Sequence, residues 1–187
     1  MEAFLGTLSA VAFAEVGDRT QLLSLVLAAR YRKPWPILGA IVLATFANHL
    51  AAGAVGIWLA SWLTPQLLDA IVAVGLFAMA GWTLIPDEAG AEPNTSNRGA
   101  FLATLVLFFL TEIGDKTQIA TVALAAAYQN LWAVVAGSTL GLFLANAPVV
   151  FLGNVFAARL PLKTIRLCAA ALVAVLGILF AVKAITR

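Results

Sequence analysis

The chain contains the same acidic pattern twice, once at residues 15–20 and again at residues 112–117. Each copy reads Glu-x-Gly-Asp, followed by a basic residue, a threonine and a glutamine. Carboxylate, hydroxyl and amide oxygens are ligands for hard divalent cations, whereas zinc and copper sites favour Cys and His. Both copies lie in otherwise apolar stretches, where ionised side chains are costly and usually mark an ion, proton or substrate path. The pattern therefore predicts a cation path through a membrane.

The pooled charge of the two copies indicates how such a path would operate. Four carboxylates and two basic side chains leave a net charge of −2. One divalent cation or two protons would neutralise this charge, which favours an exchange of cations for protons. Carboxylates crowded in a poorly solvated site repel one another, so we expect some of them to take up protons when the metal leaves.

The spacing within each copy predicts how its side chains are arranged. On a continuous helix the glutamate and aspartate share a face, and the basic residue, Arg19 or Lys116, can pair with the glutamate four positions before it. Gly17 and Gly114 separate the acids. They allow either a local unwinding that exposes backbone carbonyls or the close approach of a facing helix, and the sequence leaves both possibilities open.

Other polar side chains in the apolar stretches are candidates for additional ion ligands. These candidates are Thr20, Gln21, Thr117, Gln118, Asn48 and Asn146. His49, the only histidine, is a candidate proton relay. A hydrogen bond between helices is the alternative role for His49.

The composition indicates a membrane protein. Hydrophobic residues make up 63% of the chain and charged residues only 11%, which lies outside the usual range for globular proteins. Hydropathy predicts six spans at about 3–29, 36–61, 66–85, 99–127, 131–157 and 164–185, each long enough to cross a bilayer. Little chain remains for a soluble domain, and no basic face or aromatic motif supports nucleic-acid binding.

An internal repeat predicts the architecture. An offset of 97 residues relates the two motifs, and it also relates Trp35 to Trp132. Each half holds three spans, an odd number, so the second half must enter the membrane in the opposite sense. The prediction is an all-α membrane protein with six transmembrane helices in two inverted-topology repeats. Residues 1–85 and 99–187 form the repeats, and 86–98 form a cytoplasmic linker.

The basic residues predict the orientation. Arg30, Arg32 and Lys33 follow the first span; Arg159, Lys163 and Arg166 lie between the fifth and sixth, and Arg98 ends the linker. Because positive residues favour the cytoplasmic side, both termini are predicted on the opposite side.

The doubled Glu-x-Gly-Asp-(Lys/Arg)-(Ser/Thr) motif, with three spans in each half, resembles the Gdt-type calcium/manganese:proton exchangers. The resemblance covers essentially the whole chain, and both motifs match. It implies that the ion is bound by four acids, Glu15, Asp18, Glu112 and Asp115. The short linker resembles that of bacterial members, which implies Mn²⁺ efflux across a bacterial inner membrane, with no resident cofactor.

Other functions remain open on sequence alone. An exporter of small organic cations or amino acids would use a larger pocket with aromatic walls. A metal-dependent intramembrane enzyme would need a nucleophile and base beside the carboxylates, and none accompanies them. In a purely structural role the acids and bases would form ion pairs that only hold helices together, although two copies at matched depth argue against this. Neither the choice between Mn²⁺ and Ca²⁺ nor the oligomeric state follows from the sequence.

Overall fold

The structure, a computed structural model, describes residues 1–85, 99–153 and 161–186. Every regular element in these ranges is an α-helix. The helices are α1 (Glu2–Glu15), α2 (Arg19–Tyr31), α3 (Pro34–Ala60), α4 (Pro65–Thr83), α5 (Ala100–Glu112), α6 (Lys116–Tyr128), α7 (Leu131–Leu152) and α8 (Leu162–Thr186). The predicted linker 86–98 lies outside the described residues, as do Arg98 and Arg159.

Two of the predicted spans are interrupted. The span predicted at 3–29 consists of α1 and α2, and the span predicted at 99–127 consists of α5 and α6. Each of these four helices has only 13 or 14 residues. The remaining helices, α3, α4, α7 and α8, are each long and apolar enough to cross a membrane. The helix bounds repeat at the offset of 97, since α1 ends at Glu15 and α5 ends at Glu112.

Glycines bring the interrupted helices against the long ones. A Cβ on Gly137 or Gly141 of α7 would lie 2.6 or 2.7 Å from the carbonyl oxygen of Phe4 or Leu8 in α1. A Cβ on Gly56 of α3 would lie 2.2 Å from the carbonyl oxygen of Val122 in α6. Only glycine permits backbones to approach so closely. The first half of the chain therefore packs tightly on the second, with α1 against α7 and α3 against α6.

The outer surface carries many large apolar side chains. Examples on different helices are Val74, Leu110 and Ile178, each more than half exposed. Apolar exposure on this scale is unusual for a soluble monomer and fits a surface that is covered by lipid. The four motif acids, by contrast, are buried inside the helix bundle.

Candidate cation site

Each acidic motif breaks its helix at the glycine. Gly17 and Gly114 have φ values of +80° and +77°, a region that side chains other than glycine's occupy at a cost. α1 stops at Glu15, and α2 starts anew with Asp18 as its N-cap. The second motif repeats this arrangement with Asp115 as the cap of α6. The prediction of a continuous helix through each motif is therefore wrong, and local unwinding accounts for the glycines.

Side chains of the motif stabilise the new helix starts. The carboxylate of Asp18 accepts a hydrogen bond from the backbone N–H of Thr20, at 3.2 Å. Gln21 Oε1 accepts one from the N–H of Gly17, at 2.8 Å. Gln118 does the same for Gly114, at 2.7 Å. This is a variant of the capping box, in which an acidic cap is followed three residues later by glutamine. The Asp-x-x-Gln spacing was thus a sequence signal for the helix break.

Three carboxylates from the two motifs converge. Oxygens of Glu15, Asp18 and Asp115 all lie within 4.8 Å of one another. All three side chains are buried, with at most 2% of each residue exposed. The hydroxyl of Thr20 lies within hydrogen-bonding distance of Glu15 and, at 3.1 Å, of Asp18, and it shares its one proton between the two carboxylates. Because Asp115 comes from the second copy and the others from the first, this oxygen cluster exists only when the two halves pack together.

The basic residues pair across the two copies. Arg19 Nη2 lies 3.1 Å from Asp115 Oδ1, and Lys116 Nζ forms an ion pair with Asp18. The prediction that each basic residue pairs with its own glutamate is therefore wrong. The break places each glutamate and the basic residue four positions later on different helices, so they no longer share a helix face. Each basic residue instead reaches the aspartate of the opposite motif. The side chain of Arg19 is 39% exposed, whereas that of Lys116 is 3% exposed.

Glu112 stands apart from the three-carboxylate cluster and faces His49. Glu112 Oε2 lies 3.9 Å from His49 Nε2, and both side chains are fully buried. This distance is too long for a hydrogen bond. Among the described residues, neither Glu112 oxygen and neither His49 ring nitrogen has a hydrogen-bond partner. The hydrogen bond between helices that the sequence offers as the alternative role for His49 is therefore not found there.

The remaining candidate ligands form hydrogen bonds within or between helices. The Asn48 amide donates to the carbonyl oxygen of Phe109, at 3.0 Å, and joins α3 to α5. Asn146 Oδ1 accepts from the Ser24 hydroxyl, at 2.7 Å. The Thr117 hydroxyl donates to Asp115, at 3.1 Å. Of the predicted additional ligands, only Thr20 contacts two carboxylates of the cluster.

The surroundings of the two glycines differ. Gly17 is buried beneath α8, where Arg166 Nη2 donates to its carbonyl oxygen at 3.4 Å. A Cβ on Gly17 would lie 3.0 Å from Leu162 Cδ2, whereas a Cβ on Gly114 would meet nothing within 4 Å. Gly114 is exposed. The first motif is thus covered on the side where the second is open.

This difference predicts unequal effects of alanine at the two glycines. Both substitutions place a Cβ at positive φ and should cost about 1 kcal/mol in backbone strain. Gly17→Ala must also displace Leu162, so we expect it to lower the thermal unfolding temperature of the detergent-solubilised protein more than Gly114→Ala does. Gly81→Ala is the control, since a Cβ there meets nothing within 4 Å and the φ is ordinary. Equal losses at Gly17 and Gly114 would contradict this account.

Comparison with known proteins identifies relatives over nearly the whole chain. The model of the family described as "Divalent cation/proton antiporter GDT1" matches residues 3–91 and 100–187. A protein of Vibrio cholerae serotype O1 named "Putative manganese exporter" is 51% identical over 86% of this chain and 80% of its own length. A GDT1-like protein of Synechocystis is 26% identical over 89% of this chain and 90% of its own. No solved structure matches the chain.

Proposed function

The chain belongs to the GDT1 family of divalent cation/proton antiporters, and we propose that it exports Mn²⁺ from the cytoplasm in exchange for protons. The observation that carries this proposal is the buried cluster of Glu15, Asp18 and Asp115, whose oxygens lie within 4.8 Å of one another. Such a group of carboxylates suits a hard or borderline divalent cation. We assign the fourth motif acid, Glu112, to the same cation path.

The ion pairs support a simple exchange of charge. Asp18 and Asp115 are each paired with a basic side chain of the other motif. The charges of Glu15 and Glu112 then account for the net −2 of the two motifs. A single Mn²⁺ neutralises these two charges, and so do two protons. The pocket therefore has the same charge after either cargo has bound, which suits a carrier that must move through the membrane interior in both loaded forms.

The architecture that we propose is the six-span inverted repeat. In it α1 with α2 forms the first span and α5 with α6 forms the fourth, so that residues 1–85 and 99–187 make two repeats joined by 86–98. Matching helix bounds at an offset of 97 residues support this arrangement. Broken helices at a midplane site are typical of secondary transporters. Alternating access would come from movement of one repeat against the other.

The bacterial inner membrane is the location that we propose, with both termini on the non-cytoplasmic side. The basic residues Arg30, Arg32 and Lys33 at the end of the first span support this orientation. The choice of Mn²⁺ over Ca²⁺, and of export over import, is supported by the name of the relative from Vibrio cholerae, which is 51% identical.

Transport by the purified protein in proteoliposomes tests the exchange. We expect Mn²⁺ uptake to drive protons out, reported by a pH dye inside the vesicles, and an imposed pH gradient to drive Mn²⁺ against its own gradient. Parallel assays with Ca²⁺ and Mg²⁺ measure the preference. A metal flux that ignores the pH gradient would indicate a channel or uniporter and would end the proposal. For the direction, bacterial cells that express the protein should contain less Mn²⁺ than cells that express Glu15→Gln.

A further inference from the structure

His49 and Glu112 form a buried pair that the ion pairs and the three-carboxylate cluster do not account for. His49 lies on α3 and Glu112 at the end of α5. Both ring nitrogens and both carboxylate oxygens are buried, and none of the four has a hydrogen-bond partner among the described residues. Buried polar atoms are nearly always satisfied in native proteins, so four unsatisfied atoms in one contact indicate a ligand.

The equivalent position in the other repeat does not share this property. The offset of 97 residues relates His49 to Asn146. Asn146 Oδ1 accepts from Ser24 at 2.7 Å, and its amide donates to the carbonyl oxygen of Leu142 at 3.0 Å. The polar group of the second repeat is therefore used to hold helices together. The polar group of the first repeat, His49, faces Glu112 at a distance too long for a hydrogen bond.

The spacing of the pair fits two ligands of one metal ion. Nitrogen and oxygen ligands of first-row metal ions lie about 2.0–2.2 Å from the metal. Two such ligands on one ion are therefore separated by about 3–4 Å, and the observed distance from His49 Nε2 to Glu112 Oε2 is 3.9 Å. Glu112 also interacts electrostatically with Asp18 and Asp115, which links the pair to the acid cluster.

We propose that His49 is a nitrogen ligand of the transported ion and that it favours Mn²⁺ over Ca²⁺ and Mg²⁺. This inference rests on the proposed function, whose cation path it extends. Mn²⁺ favours oxygen ligands, as Ca²⁺ and Mg²⁺ do, but as a first-row transition-metal ion it also accepts an imidazole nitrogen, which Ca²⁺ and Mg²⁺ take up poorly. An all-carboxylate site offers little discrimination between Mn²⁺ and Ca²⁺. One imidazole ligand in the path supplies this discrimination between Mn²⁺ and Ca²⁺.

Asn48 holds His49 in position. Its amide donates to the carbonyl oxygen of Phe109, three residues before Glu112, and so fixes α3 against α5 at the level of the pair. His49, the next residue along α3, is thereby directed at Glu112. Asn48 acts here as a positioning residue and not as a ligand.

Pulsed electron paramagnetic resonance of Mn²⁺ bound to the detergent-solubilised protein provides a direct test. Mn²⁺ is paramagnetic, and a coordinated imidazole gives a characteristic nitrogen modulation of its spin echo. His49 is the only histidine in the chain, so with a tag that contains no histidine any imidazole signal belongs to it. We expect this signal in the unaltered protein and its loss in His49→Gln.

Transport selectivity supplies the second readout. The amide of His49→Gln can place an oxygen near the position of Nε2, so we expect Ca²⁺/proton exchange to persist. The ratio of Mn²⁺ to Ca²⁺ transport should fall about 10-fold or more, since even the loss of an outer-shell partner costs that much. Thr45→Val is the matched control: it lies one turn earlier on α3, is buried, and has an Oγ1 without a hydrogen-bond partner among the described residues. Its transport ratio should stay unchanged.

The outcomes separate this inference from the proposed function. Saturable Mn²⁺ binding and Mn²⁺/proton exchange without an imidazole signal would overturn the role of His49 and leave the exchanger intact. An unchanged transport ratio in His49→Gln would overturn it as well. A protein that neither binds nor exchanges Mn²⁺ would overturn both.

Discussion

Glutamine in place of either Glu15 or Glu112 should abolish Mn²⁺/proton exchange, with a loss of about 100-fold or more in transport rate. The two glutamates account for the charge that the basic residues of the motifs leave over. Glutamine keeps the shape of the side chain but neither carries that charge nor takes up a proton. Each substitution therefore removes one negative charge from the metal-binding step and one proton carrier from the proton-return step. The measurement is Mn²⁺ flux with a pH dye in proteoliposomes.

The thermal stability of Glu112→Gln should not fall with its activity. Glu112 is fully buried, and its oxygens have no hydrogen-bond partner among the described residues. An ionised carboxylate in such a place is costly, so its replacement by a neutral amide should leave the thermal unfolding temperature unchanged or higher. Glu2→Gln, at the exposed start of α1, is the control and should transport normally. Residual exchange above a few per cent in both Glu15→Gln and Glu112→Gln would refute the assignment.

The helical segments could be predicted from hydropathy, but the breaks within two of them could not. Apolar stretches define where the chain enters and leaves a bilayer. The predicted limits agree with the described helices to within a few residues, apart from the end of the fifth span at 157, which lies outside the described residues. Hydropathy is insensitive to a break of three residues that keeps an apolar flank on both sides. The sequence signal for the break was its turn residues instead. Gly17 is followed by Asp18, which caps α2, and Gln21 lies three positions after Asp18.

The residue types of the site could be predicted, but not their partners. Two matched motifs sufficed to select the acids, since charged side chains at bilayer depth usually line the path of an ion or substrate. The partners depend on how the two halves pack, which local spacing does not encode. Arg19 therefore pairs with Asp115, 96 residues away, although Glu15 is much nearer in sequence. For the same reason the sequence predicted one group of four equivalent acids. In the structure three of them cluster, and Glu112 faces His49.

Removal of the buried basic residue should destabilise the protein more than removal of the partly exposed one. Lys116→Met takes away the cation paired with Asp18, where both side chains are at most 3% exposed. Breaking a buried ion pair from one side costs about 3–5 kcal/mol. For a chain of this size that lowers the thermal unfolding temperature by on the order of 10 °C. Arg19→Met is the matched control. The Arg19 side chain is 39% exposed, so water screens its pair with Asp115 more than the buried pair of Lys116 with Asp18, and we expect a smaller loss of stability from Arg19→Met.

A double variant separates the charge from the packing of the lysine. Asp18→Asn combined with Lys116→Met removes both members of the pair, and asparagine can still cap α2. No unpaired charge then remains, so the double variant should regain much of the stability that Lys116→Met loses. It should not regain transport, because Asp18 belongs to the three-carboxylate cluster. If the double variant unfolds at the same temperature as Lys116→Met, buried charge is not what the lysine compensates. Recovered stability without recovered exchange would instead mean that the buried pair holds the two halves together and that the carboxylate itself binds the ion.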